Sequence, residues 1–144
     1  MRYVLVMGFL ILSTSLASAQ VVCVTGQSAA VRMSPSEGSS VVLEAPTHYP
    51  LAVAAERDRF YEVADYRGRR GWVRQGDVGG GRCAVVTRAG VNVRGGPGTG
   101  HEVVLRAQEG VAFQVLRSVG DWAEVRHESG RSGFVYKALL WGVE

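Results

Sequence analysis

A shift of about 62 residues lays the second half of the sequence on the first without a gap, and this self-similarity limits the possible folds more than any other feature. Val31-Arg32 falls on Val93-Arg94, Pro35 on Pro97, Gly38 on Gly100, and Val41-Val42-Leu43 on Val103-Val104-Leu105. Further along, Glu62-Val63 meets Glu124-Val125, and Gly68-Arg69-x-Gly71-x-Val73 meets Gly130-Arg131-x-Gly133-x-Val135. Bulk persists where identity does not, with Leu51 on Phe113, Phe60 on Trp122 and Trp72 on Phe134. One unit has been copied once.

Within each copy, apolar residues alternate or cluster over short stretches and are then interrupted by Gly, Pro, Asp or Ser, which is the pattern of strands and turns. In the second copy this predicts strands over Ala84 to Thr87, Val91 to Arg94, Val103 to Leu105, Ala112 to Ser118, Trp122 to His127 and Gly133 to Tyr136. No window sustains a helical period. Gly120-Asp121 and Ser129-Gly130 supply the chemistry of two hairpin turns, and Asp58 and Arg67-Gly68 take the same places in the first copy. So many short strands in so few residues bury a core only by curling into a small barrel or tight sandwich, because a flat sheet leaves a face and two edges bare. The expected fold class is therefore all-β, two small barrels in tandem, with residues 20–78 as the first domain, a glycine-rich linker over 79–82 and residues 83–144 as the second.

The N-terminus reads as an export signal over residues 1–19: Arg2 gives a positive start, Val4 to Leu12 an apolar run, and Ala17-Ser18-Ala19 a cleavage site. A membrane helix needs about 20 apolar residues, and Ser13, Thr14 and Ser15 interrupt this run, so no membrane span is expected after cleavage. Cys23 is preceded by Val22 rather than the small residue that acylation favours. In an oxidising compartment the only two cysteines, Cys23 and Cys83, are expected to pair. Closing a loop of about 60 residues contributes roughly 4 kcal/mol in the chain-entropy model. The formal charge of +3 includes Arg2, so the chain left after cleavage is mildly basic. Its arginines are scattered apart from Arg67, Arg69 and Arg70, read as a solvated hairpin tip, and nucleic acid is not an expected partner.

The stretch Val91-Asn92-Val93-Arg94-Gly95-Gly96-Pro97-Gly98-Thr99 resembles the opening motif of bacterial Src-homology-3-like domains. Gly120-Asp121-Trp122-Ala123-Glu124-Val125 and Ser129-Gly130-Arg131-Ser132-Gly133-Phe134-Val135 are similar to that family's two later motifs, in order. The first copy departs from the pattern at Ala30, Met33, Ser34 and Phe60, so the resemblance does not extend equal ligand binding to both units. It implies a non-catalytic, periplasmic or secreted module that binds cell-wall peptide (peptidoglycan) or a related peptide. The alternative is a periplasmic adaptor or inhibitor bound to an envelope protein. A monomer is expected.

Candidate binding residues follow from strand alternation. If Val63 and Val73 face the core, Phe60 and Trp72 face outward, and Trp122 and Phe134 are the equivalent pair; such rings offer a platform on which a peptide bond or sugar stacks. The competing outcome is a loop folded over the rings as a satellite core, the more common fate of large aromatics. Tyr66, His127 and Tyr136 are secondary rim candidates. Arg32 and Arg94 recur with Glu62 and Glu124, which suggests an internal acid–base contact, or else a contact to a ligand carboxylate. Gly95-Gly96-Pro97-Gly98-Thr99-Gly100 has the glycine spacing of a phosphate loop, but His101 and Glu102 stand where Lys and Ser or Thr are needed. His48, His101 and His127 are isolated, so no metal or other cofactor is expected, and no nucleophile or paired carboxylate signals catalysis.

Overall fold

The computed structural model describes residues 20–143; the expected export segment lies outside the described residues. Two seven-stranded antiparallel sheets account for the described residues, as the all-β reading required. The first holds β1 (Gln20–Val24), β2 (Ser28–Arg32), β3 (Val41–Pro46), β4 (Pro50–Arg57), β5 (Phe60–Ala64), β6 (Arg70–Arg74) and β7 (Val78–Gly79). The second holds β8 (Cys83–Val86), β9 (Val91–Arg94), β10 (Val103–Ala107), β11 (Ala112–Val119), β12 (Trp122–Arg126), β13 (Ser132–Tyr136) and β14 (Leu140–Trp141). Strand orders are β3-β2-β6-β5-β4-β1-β7 and β10-β9-β13-β12-β11-β8-β14, the same topology twice. A single 3-10 turn precedes each short last strand, over Gln75–Asp77 and Lys137–Leu139.

Each sheet curls because its long hairpins are bulged. Register slips between Val53 and Ala55 where β4 meets β5, and between Val115 and Arg117 where β11 meets β12, and a bulge bends its strand. Curling brings Ala45, on the edge strand β3, into one core with Val24 of β1 and Val78 of β7 from the far edge. Closure happens at a narrow seam: β6 meets β2 through Trp72 opposite Arg32, and β13 meets β9 through Phe134 opposite Arg94. Glycine makes the seam possible. A Cβ on Gly71 would lie 2.6 Å from the Arg32 carbonyl oxygen and from Val31 Cγ1, and one on Gly133 would lie 2.7 Å from the Arg94 carbonyl oxygen and from Val93 Cγ1.

The two units lean on one another. Cys23 and Cys83 form the expected disulfide. Val85 and Ala112 of the second sheet are buried in the first unit's core, and Trp141 packs against it. Gly79 pairs with Cys23 in the first sheet, so the stretch without strand partners is Gly80, Gly81 and Arg82, shorter than the expected linker. The hairpin tip read as solvated is also put to use. Arg67 Nη2 lies 2.7 Å from Glu109 Oε1 of the second unit, and the Tyr66 hydroxyl donates to the same oxygen at 3.0 Å.

Arg69 serves the interior instead. Asp65 is buried, and its carboxylate accepts from the Tyr49 hydroxyl at 3.0 Å, from the backbone N–H groups of Arg67 and Arg69 at 3.1 and 2.8 Å, and from Arg69 Nε at 2.8 Å. A buried carboxylate is tolerated only when so fully bonded. Burial, and next the Asp65 charge, push the Tyr49 phenol well above its ordinary value of about 10.

Gly133→Ala is expected to cost about 1–3 kcal/mol by forcing the seam apart, as overpacking does. Gly76→Ala, where nothing lies within 4 Å of the new Cβ, is the control, and urea unfolding checks both. Because the folded state holds the Tyr49 proton more tightly than the unfolded chain does, that contribution is complete below about pH 10 and is lost as pH rises beyond it. Tyr49→Phe is therefore expected to flatten the alkaline fall in the urea midpoint; an unchanged slope contradicts the assignment.

Candidate functional site

On the outside of the second unit's seam the chain forms a groove of about 600 Å³. Its floor is set by strand pairing: Trp122 on β12 lies opposite Tyr136 on β13, with ring centroids 5.7 Å apart. Asn92 and Arg94 of β9 form one side, and Leu139 of the 3-10 turn with Gly98 and Thr99 of the β9–β10 loop form the walls. Arg88, before β9, stands at the end. Among the described residues, Arg88 and Arg94 are the charged residues lining this groove, and no carboxylate joins them. Arg94 also fixes a wall, since its Nη1 donates to the carbonyl oxygens of Thr99 at 3.1 Å and His101 at 3.0 Å. The site thus offers two adjoining rings tilted 56° to one another, an amide and two guanidinium groups, the equipment for holding a flat, polar, anionic chain.

The expected aromatic pairs are rearranged. Phe134 is only 9% exposed, and Arg117, itself ion-paired with Glu124, lies over its ring with 5.6 Å from guanidinium carbon to centroid. Phe60 is 6% exposed. Both rings face away from the main core, yet both are covered, the outcome that competed with the platform. Trp122 and Trp72 remain half-buried, and Tyr136, taken as a rim residue, is 42% exposed and is the ring partner of Trp122. Tyr66 belongs to the contact between units and not to a groove.

Neither Arg32 nor Arg94 meets the glutamate that recurs with it. Strand order places Trp72 between Arg32 and Glu62, and Phe134 between Arg94 and Glu124, so two strand spacings of about 4.8 Å separate each acid from its base. Arg32 Nη1 donates to the Ser39 carbonyl oxygen at 2.8 Å, pinning the β2–β3 loop as Arg94 pins the β9–β10 loop. The groove residues that the sequence left unmarked, Arg88, Thr99 and Leu139, share one signal: each stands where the repeat breaks, against Gly26, Glu37 and Asp77.

The profile of the bacterial SH3 domain matches residues 25–80 and again residues 87–142. The chain belongs to the bacterial SH3 domain family. A putative N-acetylmuramoyl-L-alanine amidase of Bacillus subtilis (strain 168) is 32% identical over 57 residues, which is 40% of this chain and 11% of the amidase. Two solved structures, NlpC1 and NlpC2 from Trichomonas vaginalis, are each 11% identical, with TM-scores of 0.40 and 0.39. They match 89% and 88% of this chain against 47% and 49% of their own. The bacterial SH3 chain thus spans about a tenth of the curated relative and about half of each solved structure. Among the described residues no helix is long and apolar enough to cross a membrane, and no group of three or more His, Cys, Asp or Glu side chains is arranged to hold a metal ion.

Proposed function

We propose that this bacterial SH3 protein is a non-catalytic binding module of the cell envelope, periplasmic or secreted, that recognises the peptide portion of the cell wall through the groove of its second unit. The observation that carries this reading is the open groove over Trp122 and Tyr136, flanked by Arg88 and Arg94 without a carboxylate. Wall stem peptides present flat amide groups and free carboxylates, the two features that exposed aromatic rings and guanidinium groups hold best. The buried disulfide supports an oxidising location, and the amidase relative, whose name places its action on wall material, supports the ligand class.

Purified sacculi at low salt are expected to pellet the protein. Trp122→Ala and Tyr136→Ala are each expected to weaken retention roughly tenfold or more, the usual effect of truncating an aromatic anchor. Phe134→Leu, at a covered ring, is expected to leave retention unchanged. Protein that stays in the supernatant, or retention indifferent to Trp122 and Tyr136, contradicts the proposal.

A further inference from the structure

Setting the two copies side by side isolates three differences that fall in one place. Thr99, Tyr136 and Leu139 line the second groove, and the residues one repeat earlier are Glu37, Arg74 and Asp77. Backbone geometry does not explain the contrast. Arg74 and Tyr136 leave the main chain at the same point, with φ −62 and ψ 134 against φ −64 and ψ 123, each directly before its 3-10 turn. The next N–H in each copy makes the same bond, Gln75 to the Arg59 carbonyl oxygen at 3.0 Å and Lys137 to the Asp121 carbonyl oxygen at 2.8 Å.

From that shared point the side chains act differently. Tyr136 lays its ring beside Trp122, whereas Arg74 reaches across the opening, with Nη1 3.1 Å from Glu37 Oε1 and Nε 3.0 Å from Asp77 Oδ2. Glu37 lies in the β2–β3 loop and Asp77 in the 3-10 turn, so the guanidinium ties together the two walls of the groove. Beneath it the ring at the Trp122 position, Phe60, is buried.

We infer that Arg74, braced by Glu37 and Asp77, divides the first unit's copy of the groove into two smaller pockets of about 390 and 490 Å³, so that the protein holds one wall-peptide ligand per chain and not two. This rests on the proposed function of the second groove. Each exposed ion pair is weak alone. Exclusion comes instead from the guanidinium standing between the two pockets, where the second unit offers a ring for stacking, and from charge. Glu37, Glu44 and Asp77 line the first groove with Arg32 and Arg74, while among the described residues the charged groups of the second are Arg88 and Arg94. A ligand bearing carboxylates is attracted to the second and repelled by the first.

Isothermal titration of the disulfide-intact protein with a purified disaccharide-tetrapeptide muropeptide tests this. Wild-type protein is expected to bind one equivalent. Thr99→Glu, Tyr136→Arg and Leu139→Asp together are expected to abolish binding, and Glu37→Thr, Phe60→Trp, Arg74→Tyr and Asp77→Leu together to raise it to two equivalents, with urea midpoints confirming that both variants fold. Two equal sites in the wild type, binding that survives closure of the second groove, or an opened first groove that takes no ligand each overturn the inference and leave the proposed function standing. A wild type that binds neither muropeptide nor sacculi overturns the function instead. In that event proton exchange at Arg74 Nε, read by nitrogen-15 NMR, still decides the strut: exchange slower than at Arg88 Nε supports it, and equal exchange overturns it.

Discussion

The close approach of β6 to β2 and of β13 to β9 is the contact on which each unit depends. Without a glycine at 71 and 133 the carbonyl oxygens of Arg32 and Arg94 could not sit where they do, and the curled sheet would stay open along one side. Val31, Val63 and Val73 in one copy, and Val93, Val125 and Val135 in the other, are buried only because that side is shut. The outer surface of the same seam carries Arg94 opposite Phe134, with Tyr136 two residues further along β13 and Trp122 opposite it on β12. One backbone contact therefore both closes the core and assembles the groove.

Units this small sit near the lower limit for independent stability, and the chain answers by sharing material between copies. The first core takes in Val85 and Ala112, the disulfide joins β1 to β8, and Glu109 receives both Tyr66 and Arg67. Buried Asp65 rigidifies the hairpin that carries Tyr66 and Arg67 by gathering the backbone N–H groups of its own turn. The second copy has His127 at that position, with Nδ1 2.9 Å from Ser129 Oγ and its ring edge-on to Phe113. The copies thus keep a common fold while assigning their hairpins different work.

Much of this was legible in the residues. Strand positions, both glycine turns and the cysteine pair follow from periodicity, turn chemistry and compartment, which act locally or through simple counting. What stayed hidden depends on which strands are neighbours. Arg32 with Glu62 looks like an ion pair until strand order sets Trp72 between them, and Trp122 with Phe134 looks like a platform until register pairs Trp122 with Tyr136. Arg67 and Arg69 look like solvated charge because their partners, Glu109 and buried Asp65, are chosen by tertiary packing. The short strands β7 and β14 carry two residues each and leave no periodic trace.

The residues that close the fold agree between the copies, and most of the groove's side chains differ. Seam glycines and core valines match, while Gly26 and Arg88, Ala30 and Asn92, Glu37 and Thr99, Arg74 and Tyr136, and Asp77 and Leu139 do not. Such clustering is what duplication followed by specialisation of one surface produces. The chain's three tryptophans, Trp72, Trp122 and Trp141, report directly on that division through their indole N–H resonances during titration with a soluble muropeptide. The expected result is a saturable shift of Trp122 while Trp72 and Trp141 stay in place; movement of Trp72 or Trp141 with Trp122 unmoved would contradict it.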